Sequence, residues 1–137
     1  MRLILCTAIL ALSGCSSSFD TFDGVDKAYC DKVKMNYSLS ILAKDVCIDN
    51  YIKKYTKDNS IPTDVAEASM SECGRVISSA ANSSYDEAMC EMAYKNGMSV
   101  QRLSSMVSDR DRNTAISNTD NVKRDAINRV VKYQSTL

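Results

Sequence analysis

The placement of the last four cysteines constrains this chain more than any other feature. Cys30 and Cys47 lie seventeen residues apart, and Cys73 and Cys90 lie seventeen apart again. Two cross-links at such positions fix which segments can be neighbours, so few packings survive. The pairs are offset by forty-three residues, and other residues repeat at that offset. Cys30-Asp31-Lys32-Val33 aligns with Cys73-Gly74-Arg75-Val76, and Tyr51 aligns with Tyr94. We read a duplicated unit of about forty residues, a length typical of helix-pair repeats.

Metal and redox chemistry fit these cysteines poorly. Structural zinc takes ligands in close pairs because a tight turn must bring two of them to one ion. A redox pair has the C-x-x-C spacing that lowers a thiol pKa. Neither spacing is present, and the chain has no histidine. The expectation is two disulfides, no metal and no cofactor. Without histidine there is also no Ser-His-Asp or Cys-His nucleophile pair and no HExxH metalloprotease, so the chain is read as non-catalytic.

A single proline and four glycines among 137 residues favour helix over a turn-rich β-sandwich. Periodicity predicts helices over residues 25–36 and 39–55, the second with Leu39, Leu42 and Val46 on one stripe and Ile41, Ile48, Ile52 and Tyr55 beside it. Pro62 or Thr63 opens a third helix to about Ala81. Asn82-Ser83 breaks it, and Ser84-Tyr85-Asp86-Glu87 reads as a capping box for a fourth that Gly97 stops. Ser99 caps a fifth. Residues 110–119 read as a polar loop, after which Thr119 or Asp120 caps a last helix to about Tyr133. Val122, Ala126, Ile127, Val130 and Val131 form its apolar face. The fold class is all-α: a small helical-hairpin repeat or bundle stapled by two disulfides, with a C-terminal amphipathic helix.

Two pairings fit this layout. If each repeat is its own hairpin, Cys30 joins Cys47 and Cys73 joins Cys90 across turns near residues 36–38 and 82–84. If each repeat is one long helix, Cys47 joins Cys73 and Cys30 joins Cys90. That second scheme resembles the twin-cysteine helical hairpins of small mitochondrial proteins, whose spacing is shorter. Seventeen residues leave two cysteines about 100° apart around one helix, which argues against a single shared seam. The hairpin-by-hairpin pairing is the one we favour from the sequence.

The N-terminus points to a compartment. Arg2 precedes an apolar run of ten residues, Leu3 to Leu12, too short to span a bilayer but suited to a signal peptide. The run ends in Leu12-Ser13-Gly14-Cys15, which resembles the lipobox of bacterial lipoproteins. The resemblance covers only these first fifteen residues. It implies that Cys15 is lipidated and begins the mature chain, with several acyl chains giving stable attachment where one holds marginally. Ser16 stands where an aspartate favours retention in the inner membrane, so the resemblance implies an outer-membrane position facing the periplasm in a Gram-negative source. The two disulfides suit that oxidising space. The organisation is then a signal peptide over residues 1–14, a polar spacer over 15–24, and a stapled helical domain over 25–109 with repeats at 25–57 and 63–97. A polar loop and helix over 110–137 complete it.

Charge divides the chain. Residues 16–98 carry a net charge of −4 and residues 99–137 a net of +3. Lys123, Arg124, Arg129 and Lys132 on the last helix are candidates for contact with a partner or an anionic membrane surface, if that helix does not simply complete the core. The chain as a whole is neutral, so nucleic acid is not an expected partner. Glu87 and Glu91, with Asp86 adjacent, could pair as carboxylates for glycan hydrolysis, but one helix face beside a cysteine reads better as solvated charge. Tyr51, Tyr55, Tyr85 and Tyr94 are expected in helix seams. The expected partners are the membrane, through the lipid anchor, and a protein of the envelope. By size and anchor the chain suits exclusion factors of phages and plasmids or assembly accessories. A periplasmic inhibitor or immunity-type protein is the alternative, and a cell-wall enzyme the third.

Overall fold

The computed structural model describes residues 21–137. The signal segment, Cys15 and the start of the spacer lie outside them. Among the described residues the regular structure is six helices: α1 Gly24–Tyr55, α2 Pro62–Glu72, α3 Gly74–Asn96, α4 Val100–Met106, α5 Asp109–Ser117 and α6 Asp120–Gln134. The all-α class is correct, and the staples are two.

Their pairing corrects the favoured scheme. Cys30 joins Cys90 and Cys47 joins Cys73, with Cα atoms 5.6 and 6.0 Å apart. Each repeat is therefore not its own hairpin. Residues 25–36 and 39–55 are one helix, α1, of 32 residues, about 48 Å long at 1.5 Å per residue. It runs antiparallel to α3, and the equal spacings have a geometric reason. Seventeen residues on either helix rise about 26 Å, so two rungs of one ladder must lie equally far apart on both rails. The 100° offset that argued against a shared seam is absorbed by its width. Each cysteine sits about 50° to one side of the midline, inside the arc of roughly 100° that a packed helix turns toward its neighbour.

The helix boundaries moved for related reasons. Asn36-Tyr37-Ser38 and Asn82-Ser83-Ser84 do not break their helices. Ser38 Oγ donates to the Lys34 carbonyl at 3.1 Å and Asn82 Nδ2 to the Ser78 carbonyl at 2.9 Å. Each polar side chain bonds one turn back along its own helix instead of competing with it. The break falls at Cys73, between α2 and α3. There the chain redirects, so that α2 packs on α6 while α3 packs on α1. The polar loop expected over 110–119 is replaced by α5. Ser108 accepts from the Asp111 backbone N–H at 3.1 Å, and the Thr114 hydroxyl bonds back to the Arg110 carbonyl at 2.8 Å.

Other boundary signals held. Pro62 opens α2, and Gly97 ends α3 in the left-handed conformation at φ 62°, which glycine adopts without a Cβ clash. Ser99 caps α4 by accepting from the Arg102 N–H. The spacer expected through residue 24 is partly folded. Asp23 caps α1, accepting from the Val25 and Asp26 N–H groups at 2.8 and 3.0 Å, and Phe22 packs edge-on against Tyr94.

Among the described residues two apolar clusters form the core. The larger joins Ile48 and Ile52 of α1, Val65 and Ala66 of α2, Cys73, Ile77 of α3, and Ala126 and Val130 of α6. The smaller holds Met89 and Ala93 of α3 with Leu103 of α4, flanked by Phe22, Tyr85, Met98, Val100 and Val107. Helix α6 thus completes the core, the simpler of its two expected roles. Val122 and Ile127 pack against the cluster, while Val131 is turned out to solvent. The stripe of Leu39, Leu42 and Val46 is also turned out. Its neighbour faces the interior, with Ile48 and Ile52 buried and Ile41 half-buried.

Candidate functional site

The densest charged constellation sits where α6 crosses the C-terminal half of α1. Arg129 is positioned by its neighbour Val130, which is fully buried and fixes the rotation of α6 against α1. From there the guanidinium reaches three carboxylates. Its Nη2 donates to Asp45 at 3.0 Å, its Nη1 to Asp49 at 3.0 Å, and its Nε to Asp125 at 2.8 Å. Partial burial works against the charge of Arg129. The hydrogen bond to Asp49 and the charges of Asp125 and Asp45 outweigh it and hold the group above its ordinary pKa. Asp45 also meets Lys44 at 3.3 Å. Such a planar cation, satisfied on several edges at once, acts as a clamp between two helices.

The sequence placed Arg129 among four cations offered to a partner or a membrane surface. The structure separates them. Arg129 points inward. Lys123 forms an ion pair with Glu67 of α2, which raises its pKa above the ordinary lysine value through the hydrogen bond and the charge of Glu67. Arg124 bonds Asn121 within its own helix at 2.6 Å. Lys132 lines a shallow groove of about 450 Å³ with Asp49, Ile52, Lys53, Arg129, Tyr133 and Thr136. Three of the four cations thus serve contacts within the molecule. Apart from Asp125, one turn from Arg129, their carboxylate partners, at positions 45, 49 and 67, are remote in sequence and carried no signal of the pairing.

The carboxylates considered for glycan chemistry lie at the other end. Glu91 pairs with Lys95 one turn along at 2.7 Å, both exposed. The hydrogen bond from Lys95, and then its charge, hold the Glu91 pKa below the usual carboxylate value. Glu87 and Glu91 border an open groove of about 390 Å³ with Phe22, Tyr94 and the Cys30–Cys90 bridge. That is the arrangement of a solvated helix face. Of the tyrosines expected in seams, Tyr51 and Tyr55 pack on the larger cluster and Tyr85 on the smaller, but Tyr94 is 69 % exposed. Tyr55 also donates its hydroxyl to Glu72 at 3.1 Å. Partial desolvation, then that bond, raise its pKa above the ordinary value.

Among the described residues no group of three or more metal-ligating side chains converges. No described helix is long and apolar enough to cross a membrane. Comparison with family models, with curated proteins and with solved structures finds no match to this chain.

Proposed function

We propose that the chain is a lipid-anchored lipoprotein of the bacterial envelope that binds or modulates another envelope protein without catalysis, in the manner of an exclusion factor or assembly accessory. The observation that carries this is the order of its parts: a ten-residue apolar run, Leu12-Ser13-Gly14-Cys15, a short spacer, and then a body cross-linked twice. Disulfides persist in oxidising compartments, and an acyl anchor at Cys15 would hold the body just outside such a membrane. The lack of histidine removes the commonest general base and supports a binding role over chemistry.

Metabolic labelling with a tagged fatty acid is expected to mark the wild-type chain and to miss Cys15→Ser. Equal labelling of both chains refutes the anchor. Chemical cross-linking of the anchored chain in intact cells is then expected to recover an envelope protein, with recovery lost for Cys15→Ser.

A further inference from the structure

Helix α1 has two apolar faces, and the core uses only one. On the other, Met35, Leu39, Leu42 and Val46 are each 50 to 60 % exposed. Their spacing alternates four, three, four. Extending the same alternation one step each way reaches Lys32 and Asp49, which are outside the core as well. The result is a strict heptad seam, narrower than the broad apolar face of a helix that lies on a lipid surface.

We propose that two copies of this chain pair along this seam with their α1 helices antiparallel. The charges at its ends select both occupant and direction. In an antiparallel pair centred between residues 40 and 41, Met35 faces Val46 of the second copy and Leu39 faces Leu42. Each end then closes with Lys32 of one copy against Asp49 of the other. Parallel pairing instead sets Lys32 against Lys32 and Asp49 against Asp49, which repel. The patch is complementary to itself under a two-fold rotation, the requirement for a closed dimer interface. Asp49 remains competent for this, because Arg129 bonds only its Oδ1 and the side chain is 48 % exposed.

The seam spans about 26 Å from Lys32 to Asp49, short for an isolated coiled coil. Here α1 is already held straight against α3 by both disulfides, so pairing need not order it first. The flanking positions favour close approach too, with Ser38 and Ala43 small and neither charged. The proposal stands on α1 alone and is independent of the lipid anchor.

The test uses two differently tagged copies of the full chain, expressed together and extracted in mild detergent. The copies are expected to co-purify. Leu39→Asp with Leu42→Asp should abolish this while circular dichroism shows unchanged helix content, and Lys32→Glu should weaken it by about tenfold. Direction is read separately: a Leu39→Cys copy should form a disulfide with a Leu42→Cys copy, and neither variant with itself. Copies that fail to co-purify, or that co-purify equally with both leucines replaced, overturn the proposal, the second result leaving detergent or lipid as the occupant of the stripe. A Leu39→Cys copy that links to itself overturns the antiparallel arrangement.

Discussion

The two ends of the α1–α3 ladder each carry one disulfide, yet they are built differently. At the end where α1 leads into α2, the Cys47–Cys73 rung sits within a cluster drawn from four helices, with Ile48, Val130 and Cys73 sealed from solvent. The Arg129 clamp and the Lys123–Glu67 pair close its surface. At the end where α1 begins, the buried cluster beside the Cys30–Cys90 rung is smaller among the described residues, Met89, Ala93 and Leu103, roofed by the seven-residue α4. Among the described residues, a hydrogen bond from the Val100 N–H to Asp26 ties α4 back to α1. The contrast teaches that equal cross-links need not mean equal roles. One rung reinforces packing that exists without it, and the other stands in for packing that is thin.

The largest expected effect comes from removing α6. Ending the chain at Asn118 takes away Ala126 and Val130 and uncovers Ile48, Ile52, Val65 and Ala66. Each buried branched side chain contributes about 1.5–3 kcal/mol, so the loss is on the order of 5 kcal/mol, comparable with the whole stability of a small domain. Thermal melting should collapse or fall by tens of degrees. A truncated chain that melts like the parent would mean that the two ends do not differ as described.

Removing the rungs one at a time sharpens the contrast. Chain entropy alone makes them nearly equal. Cys47–Cys73 closes a separation of 26 residues, worth about 3.5 kcal/mol, and Cys30–Cys90 then closes an effective loop of roughly 34, worth about 3.8 kcal/mol. Structure breaks the tie. Replacing Cys47 and Cys73 by alanine also leaves a void in the main core, so the global unfolding free energy should drop by more than the entropic figure. Replacing Cys30 and Cys90 should open one end first. Amide exchange should then rise in the first two turns of α1 and in α4, while α2 and α6 stay protected. Uniform loss of protection in that variant would erase the distinction between the ends.

Much of this was legible in the sequence, and the failures share a cause. The all-α class, the turn at Gly97, the helix start at Pro62, the cap at Ser99 and the apolar face of α6 apart from Val131 rest on local chemistry, and local chemistry was enough. The pairing was not legible, because the 100° offset argued against a shared seam and because the choice also turned on whether Asn82-Ser83-Ser84 ends a helix. A serine or asparagine can bond its own preceding turn or terminate it, and the surrounding packing decides which. Helix α5 has a local signal that reading the sequence missed, Ser108 three residues before Asp111, because residues 110–119 show no apolar stripe. In α1 the two stripes were both visible, and nothing local said which one faces inward. The clamp at Arg129 was out of reach, since its partners on α1 lie 80 and 84 residues away.

The smallest expected effect distinguishes the ends by pH. At the α1–α2 end, Tyr55 and Lys123 both have pKa values raised in the folded chain, from ordinary values of 10.0 and 10.5. A raised value means that the folded state holds the proton more tightly, so their contribution is whole below about pH 10 and is lost as pH climbs through the folded values. At the other end Glu91 has a lowered value, from 4.5. Its contribution is whole above that value and is lost as pH falls through the folded one. Glu91 is exposed and Tyr55 and Lys123 are only half-buried, so each effect is slight and should fade in high salt. Local amide exchange is the measurement, since melting averages the ends. Acid should loosen the last turns of α3 before the α1–α2 junction, and alkali should do the reverse. Tyr55→Phe should flatten the alkaline limb at the junction, and Glu91→Gln the acid limb at α3. If both ends loosen together at either extreme, or if Tyr55→Phe leaves the alkaline limb unchanged, the pH behaviour belongs to the whole fold and not to its two ends.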